Sequence, residues 1–399
     1  MRIDESEAIG LLAVLVLTSF TTSALSAQEP ALHGQVRVRY EYRDPSGGGP
    51  DAFTSMRVRL GLDVEIEEGL SIFIQAQDVR IWGEESHPLF DYRADNLDLH
   101  QGYLKYRGEG TSWLTTTVGR METNFGGQRL VGAIGWKQQG QSFDGVRFDA
   151  EAGGTRWALI AYTLHDETAA GVTEDEELYG VYGTLVDVGS GSLDLYWLYD
   201  RLRGGATSDE HVIGARYVFS GEFSGRLEVS LETGTRADVD VSAFMLGARV
   251  GKDFGGGEFS ATLWYDYLTG DDPATPEVEV FNTFFGTNHK FYGFADLFLN
   301  IPAHTAGAGL QDLALKLSWK PSAGVDAGID LHSFHAAEQG TLTGTHFGEE
   351  LDVTLRRQYS AHLSAIVGFS YVIQDDLFAE IGRLDQDLTW FYVMLNATF

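Results

Sequence analysis

The chain contains no cysteine among its 399 residues, which excludes a disulfide framework and a thiolate metal site. Proline is scarce, with 8 residues, whereas glycine contributes 48 residues and aromatic side chains make up 12% of the sequence. Long helices do not use residues in these proportions, but many short strands joined by glycine-containing turns do. The composition therefore favours an all-β protein.

Positive charge is also in short supply, because 28 lysines and arginines face 58 acidic residues and give a formal charge of −30. A nucleic-acid partner needs a basic surface, so this balance argues against one. Extensive disorder is disfavoured as well, since hydrophobic residues make up 43% of the chain. Acidic external loops of a membrane protein would accommodate the excess negative charge.

A long apolar run is missing after residue 30, so the sequence predicts no transmembrane helix in the remainder of the chain. Residues 9–17 are apolar, but a membrane-spanning helix needs about 20 such residues. Small and polar residues follow this stretch, and the pattern predicts a secretory signal peptide over residues 1–27. The mature domain would span residues 28–399 and, having lost one arginine and three acidic residues, would carry a charge of −28.

Apolar and polar residues alternate in segment after segment of the mature sequence. Val36 and Val38 fall on one face of a predicted strand, and Arg37 and Arg39 fall on the other. Many segments reach the ~9–11 residues that a tilted transmembrane strand requires. Eighteen segments are predicted as strands, at residues 34–43, 54–67, 70–82, 97–107, 113–121, 142–152, 155–165, 177–187, 193–202, 210–219, 223–233, 241–251, 258–268, 307–319, 324–335, 349–358, 361–373 and 387–399.

The connections between these segments are short on one side and long on the other, which is the layout of an outer-membrane β-barrel. An even number of strands would put both termini on the periplasmic side. A large soluble β-sandwich would show similar alternation, but no linker or shift in composition divides the chain into sandwich domains. The predicted long connections are residues 83–96, 122–141, 166–176, 269–306, 336–348 and 374–386.

The last predicted strand ends on Phe399, on the same face as Phe391 and Leu395. A terminal aromatic residue on an alternating strand resembles the signal read by the outer-membrane assembly machinery, so we expect this machinery as a partner. Outer-membrane lipid is the second expected partner, since the apolar faces would point outward. The predicted location is the outer membrane of a Gram-negative type of bacterium.

Three stretches of the sequence resemble the alginate-export family of outer-membrane porins. They are VGRMETNFGGQRLVGAIGWKQQGQSFDGVRF at 118–148, FNTFFGTNHKFYGFADLF at 281–298, and GLQDLALKLSWKP, DLHSF and FGEELDVTL within 309–355. The resemblance implies a monomeric barrel of eighteen strands that passes an anionic polysaccharide such as alginate. The family's alginate exporter has a long periplasmic plug between strands sixteen and seventeen, whereas this chain has a short turn at about 358–360.

The polar strand faces would line a water-filled lumen. Arginine binds carboxylates in a fork geometry and stays charged at physiological pH, so a ring of arginines would favour a polyanion or acidic sugars. Arg37/Arg39 and Arg57/Arg59 are expected on adjacent strands as a basic ladder. The expected pore-lining residues are Arg37, Arg39, Arg57, Arg59, Arg120, Arg129, Arg147, Arg216, Arg226, Arg249, His289, Lys290, Asp296, Lys316 and Arg356.

Acidic residues are expected to share the lumen, so a weakly selective porin and a structural or adhesive barrel stay open as alternatives. The long connections 122–141 and 269–306 would either fold inward as a constriction, which we favour, or cap the barrel outside. His289, Lys290 and Asp296 would then contact a sugar acid or satisfy one another. The acidic residues placed inside by parity are Glu41, Asp63, Glu65, Asp149, Glu228, Glu232, Asp312, Asp326, Asp330 and Asp352.

The sequence offers little to an enzyme. HExxH and GxSxG motifs are both missing from the chain, and its 11 histidines are scattered. His332 and His335 are three residues apart, which places them on opposite faces of a strand and argues against a shared metal ion. We therefore expect neither catalysis nor a metal or other cofactor.

Overall fold

The computed structural model describes residues 29–45, 50–84, 97–169, 173–205 and 207–399. The expected signal peptide lies outside these ranges, as do parts of the predicted connections 83–96 and 166–176. The described residues form a closed antiparallel barrel of eighteen strands, which confirms the predicted fold. The strands are β1 (Ala31–Asp44), β2 (Asp51–Glu67), β3 (Leu70–Ile81), β4 (Leu97–Tyr106), β5 (Leu114–Met121), β6 (Phe143–Ala152), β7 (Thr155–His165), β8 (Asp175–Val188), β9 (Gly191–Arg203), β10 (Ser208–Phe219), β11 (Ser224–Arg236), β12 (Val239–Phe254), β13 (Phe259–Leu268), β14 (Leu310–Ser322), β15 (Val325–His335), β16 (His346–Gln358), β17 (Leu363–Gln374) and β18 (Leu388–Thr398).

Helical structure is limited to short segments in the described ranges. Two α-helices cover Ile301–His304 and Asp376–Glu380, and 3-10 turns cover Glu109–Thr111, Gly255–Gly257 and Asn288–Lys290. None of the helices in the described ranges combines the length and the apolarity that a bilayer crossing requires.

The alternation in the sequence becomes the difference between the two sides of the barrel wall. Val36 and Leu60 expose 42% and 52% of their surface on the outside, whereas Arg37 and Arg57 expose only 5% and 4% on the inside. Neighbouring strands keep this parity because their register pairs like with like, as in Val36 opposite Val58 and Arg37 opposite Arg57. The result is an apolar outer surface suited to lipid and an interior that carries the arginines.

The two ends of the barrel differ in the length of their connections. At one end every connection is a short turn, such as residues 68–69, 153–154 and 189–190. The other end carries the long connections, above all residues 122–142 and 269–309. Three connections at this long-loop end, β1–β2, β9–β10 and β11–β12, are short as well, so the alternation of short and long is not strict.

Strands β1 and β18 close the barrel along ten paired residues. The backbone N–H groups of Gly34 and Phe399 each donate to the other's carbonyl at 3.0 Å. A Cβ atom at Gly34 would lie 2.0 Å from the ring of Phe399, so a larger residue there would require this exposed ring to move. Phe399 therefore belongs to the contact that joins the first strand to the last.

In β4 and β7 the sequence does not show clearly which residues face inward and which face outward. The structure explains each case separately. The register between β3 and β4 shifts at Gln75/Ala76, which leaves His100 as an extra residue and inverts the parity of β4 there. In β7 the outward Leu159 and the inward Ile160 are both apolar, because Ile160 belongs to a buried apolar cluster inside the barrel. This cluster includes aromatic residues of 269–309 and fills much of the long-loop side of the interior.

Candidate pore constriction

The connections 122–142 and 269–309 meet inside the barrel. Val131 and Phe285 form a parallel β-bridge between them. The N–H of Gly132 donates to the carbonyl of Phe285 at 3.0 Å, and the N–H of Thr287 donates to the carbonyl of Gln128 at 2.8 Å. Both connections therefore fold inward, as favoured from the sequence, and together they narrow the lumen.

The basic ladder expected on β1 and β2 holds one of these connections in place. Arg37 donates to the carbonyls of Gly135, Trp136 and Lys137 at 2.7, 3.1 and 2.7 Å, and to Oε1 of Gln138 at 2.8 Å. We refer to Arg37, Arg39, Arg57 and Arg59 as the anchoring arginines and to residues 135–139 as the anchored segment.

The other three anchoring arginines reach the same segment. The guanidinium of Arg39 donates to the carbonyl of Trp136 at 2.9 Å and lies 4.3 Å from the centre of the Trp136 ring. Arg57 donates to two backbone carbonyls of the anchored segment at 3.2 Å each. Arg59 donates to a third carbonyl of this segment at 3.4 Å. These guanidinium groups satisfy loop backbone that would otherwise lack partners inside the barrel, so they do not face open water as an even ring.

Carboxylates on β16 hold the second connection by its N–H groups. Glu350 accepts from the N–H of Ala295 at 2.7 Å, and Asp352 accepts from the N–H of Phe294 at 3.2 Å. Arg43 donates to the carbonyl of Ala295 at 2.9 Å from the other side. The wall thus meets loop carbonyls with arginines and loop N–H groups with carboxylates.

Arg129 connects the first connection to the far wall. Its guanidinium donates to both carboxylate oxygens of Asp266 at 3.0 Å and to the hydroxyl of Tyr292 at 2.7 Å. Glu228 lies 3.5 Å away, and the ring centre of Phe291 lies 4.1 Å away. Burial acts to lower the pKa of Arg129, but the surrounding negative charge outweighs it and holds this pKa above its usual value.

A second group of basic residues on this wall has few acidic partners. We refer to Arg226, Arg249 and Lys290 as the cationic cluster. Arg226 and Arg249 are directly paired on β11 and β12, and their guanidinium groups lie 5.3 and 4.8 Å from the ring centre of Trp264. The ammonium group of Lys290 lies 5.3 Å from the ring centre of Phe291.

Arg226 is 1% exposed, yet its three guanidinium nitrogens have no hydrogen-bond partner. Its ion-pair contact is with Glu228, at 3.6 Å. In the part of the chain that the structure describes, neither Arg249 nor Lys290 makes an ion pair. Buried donors without acceptors are costly, so this arrangement suits an anion that arrives from solution.

The pKa of Lys290 reports the same excess of positive charge. Burial and, after it, the positive charges of Arg226 and Arg249 lower this pKa from 10.5 to about 8. The ammonium form therefore dominates at neutral pH and is lost as the pH rises through about 8.

Four further residues of the expected set point inward, and three of them are neutralised. Arg147, Arg216 and Lys316 pair with Asp149, Asp194 and Asp330 at 2.6, 2.7 and 2.6 Å, respectively. Arg356 is exposed, on the inward face of β16 near its short-turn end.

His289 and Asp296 satisfy one another at 2.6 Å, and the imidazole stacks on Trp136 at 4.2 Å. They therefore join the two connections within the constriction, and Lys290 is the member of this trio that contributes to the cationic cluster.

Arg120 is the expected pore-lining residue that the structure places elsewhere. It is paired with Asp144, which in turn is opposite Thr163 on the outward face of β7. Arg120 also shares its face with Val118, which is 38% exposed, and its guanidinium binds Asp144 at 2.5 Å. The expectation was wrong because the parity of β5 points Arg120 away from the lumen.

Two aromatic residues of the site were missed from the sequence. Trp264 falls between Thr262 and Asp266 on the polar face of β13, and Phe291 lies in the second connection. An aromatic residue on the polar face of an otherwise regular strand was the available signal for Trp264. The position of Phe291 depends on how a long connection folds, which alternation does not describe.

Comparison with known proteins gives the chain a family. The model of the family described as alginate export matches residues 30–376. The chain belongs to the alginate-export family. It is accordingly an outer-membrane barrel of a Gram-negative bacterium and a channel for diffusion or export. No curated protein matches the chain by sequence.

Solved structures share the fold at low sequence identity. OpdO of Pseudomonas aeruginosa is 14% identical with a TM-score of 0.66, over 93% of this chain and 97% of that one. The outer membrane protein OprD of Pseudomonas aeruginosa is 12% identical with a TM-score of 0.66, over 93% and 94%. OccAB4 of Acinetobacter baumannii is 11% identical with a TM-score of 0.64, over 94% and 99%.

Membership of an export family agrees with the expectation that the protein is not an enzyme. His332, one of the two histidines considered above, contacts Asp312 at 2.9 Å and the ammonium group of Lys316 at 3.1 Å. Across the described ranges, no three His, Asp or Glu side chains converge as a metal site would require.

Proposed function

We propose that this outer-membrane channel passes anionic saccharides, either a polysaccharide of the alginate type or smaller acidic sugars. The observation that carries the proposal is the cationic cluster, where Arg226 is buried without an acceptor and two further cations lack ion pairs. The alginate-export family supports a polymeric substrate.

The physical basis is the exchange of water for a fixed charge. A carboxylate entering the constriction loses part of its hydration, and guanidinium groups replace it through short, charge-assisted hydrogen bonds. Arg226 and Arg249 have donors available, whereas the anchoring arginines already donate to loop carbonyls. The aromatic ring of Trp264 lies within cation–π distance of both guanidinium groups and leaves their charge unneutralised.

A weakly selective porin is the second candidate, and the acidic residues of the interior favour it. Glu228, Glu232, Asp266 and Asp312 are all buried inside the barrel and offset much of the positive charge. The two candidates differ in whether the channel distinguishes a uronate from a neutral sugar.

Conductance of the purified protein in a planar lipid bilayer tests the proposal. We expect ion current that a polymer of uronic acid blocks at concentrations where a neutral glucan of the same length does not. Equal block by both polymers would favour the weakly selective porin. A barrel that carries no current would contradict both candidates and leave a structural or adhesive role.

A further inference from the structure

A cavity of about 530 Å³ lies inside the barrel on the short-turn side of the constriction. We propose that this cavity is a binding subsite for sugar units and that it loads the channel from the periplasmic side. This inference rests on the proposed function, because it assumes that saccharides pass through the lumen. We refer to the cavity as the vestibule.

The position of the vestibule gives it direction. Asn124, Phe125 and Gly126, at the start of the inward connection 122–142, line it. Arg107 and Trp113 also line it, and both belong to the β4–β5 connection at the short-turn end. Short turns face the periplasm in outer-membrane barrels, so the vestibule connects the periplasmic mouth with the constriction.

The lining of the vestibule is polar but nearly balanced in charge. Arg147 binds Asp149 at 2.6 Å, and Arg216 binds Asp194 at 2.7 Å. Each pair offers donors and acceptors side by side, which suits neighbouring hydroxyl groups of a sugar, since a hydroxyl both donates and accepts. The cationic cluster, with its unpaired donors, suits a lone carboxylate instead.

An aromatic wall completes the vestibule. Phe125 stacks on Tyr182 with ring centres 4.8 Å apart, and the hydroxyl of Tyr182 donates to Asp194 at 2.8 Å. Trp113 lines the opening and is 53% exposed. A pocket of a few hundred Å³ with apolar surfaces and a few fixed polar groups is the usual form of a small-molecule site.

The vestibule and the cationic cluster are neighbours. A Cβ atom at Gly127 would lie 3.1 Å from Nη1 of Arg226 and 3.7 Å from Nε of Arg216. Arg216 lines the vestibule and Arg226 belongs to the cationic cluster. The backbone at Gly127 therefore lies next to both regions. A sugar unit in the vestibule is therefore next to the constriction that its carboxylate would enter.

The inference is tested by measuring how a trimer of galacturonic acid blocks the ion current. The channels are inserted in a known orientation, and the trimer is added to one side at a time. We expect block from the periplasmic side at a lower concentration than from the outer side. In the double variant Arg147→Gln, Asp149→Asn, which keeps the net charge, the periplasmic blocking constant should weaken about tenfold, as the loss of one or two hydrogen bonds would give.

Thr354→Gln serves as the control, because Thr354 faces the lumen on β16 outside the vestibule. Its blocking constants should match those of the unmodified protein. Equal block from both sides, or block that the double variant leaves unchanged, would overturn the vestibule subsite. These outcomes are separate from failure of the proposed function, which would appear as a lack of discrimination between uronate and neutral polymers. If the double variant does not fold, the comparison of the two sides on the unmodified protein still decides the question.

Discussion

The anchoring arginines on β1–β2 and the arginines of the cationic cluster on β11–β12 lie about half-way round the barrel from one another. Both groups point inward and both are largely buried. Arg37 donates to three carbonyls and one amide oxygen, whereas Arg226 donates to none of the described residues. The two groups differ in their neighbours. The anchored segment covers the anchoring arginines, whereas the aromatic ring of Trp264 borders the arginines of the cationic cluster.

This comparison shows that an inward arginine is not by itself a selectivity element. Where a loop supplies acceptors, the arginine donates its hydrogen bonds to the loop and holds the constriction in place. Where it does not, as at Arg226, the donors are left without an acceptor from the described residues. The basic pore-lining residues predicted from the sequence therefore divide into a structural part, which is the basic ladder, and a part that the proposed function requires.

The largest expected effect comes from breaking the structural part. Arg37→Gln with Arg57→Gln removes hydrogen bonds to the anchored segment, so the free energy of unfolding should fall by about 3 kcal/mol, given ~1.5–3 kcal/mol for a bond to a charged group. Denaturant unfolding in detergent measures this, and single-channel current noise should rise as the segment loosens. Lys105→Gln, at an exposed position of β4, should change neither quantity. Unchanged stability in the double variant would show that the anchoring is not needed.

A smaller effect is expected from pH, through the cationic cluster. The pKa of Lys290 is lowered to about 8, so the lysine is charged below that pH and neutral above it. Anion preference should therefore decrease between pH 7 and pH 9, as measured by the reversal potential in a salt gradient. Lys290→Met should remove this step, and a step of the same size in the variant would assign it to another group.

The smallest effect is expected at Arg120, which shares its residue type with both groups but faces outward. Arg120→Gln should change stability by less than about 0.5 kcal/mol, because exposed ion pairs contribute little. Its reversal potential should equal that of the unmodified channel. A loss of anion preference in this variant would mean that Arg120 reaches the lumen.

Alternation predicts the barrel well because each strand repeats the same two-residue period against lipid on one side. All eighteen predicted strands are present, and the described bounds differ from the predicted ones by a few residues at their ends. The same period gave the correct side for Arg37, Arg57 and Arg226, since a strand's parity is a local property. Arg120 was expected to line the lumen although the parity of β5 places it on the outward face, so that prediction was wrong.

The constriction could not be predicted to the same degree, because it depends on long-range contacts of irregular backbone. Nothing in the sequence near Arg37 indicates that carbonyls a hundred residues later will cover it. Apolar inward residues such as Ile160 and Leu198 also follow from these contacts, since the inward connections turn part of the lumen into a packed core. Sequence alone therefore located the basic residues but did not divide them into anchored and free groups.

The reversal potential of Arg226→Gln, Arg249→Gln in a potassium chloride gradient tests the central claim most directly. The same measurement on Arg37→Gln, Arg57→Gln provides the matched comparison, because both variants remove two inward arginines. We predict that the cluster variant loses most of its anion preference and that the anchoring variant retains most of it. Equal losses in the two variants, or a larger loss in the anchoring variant, would contradict the division of the lumen into structural and selective arginines.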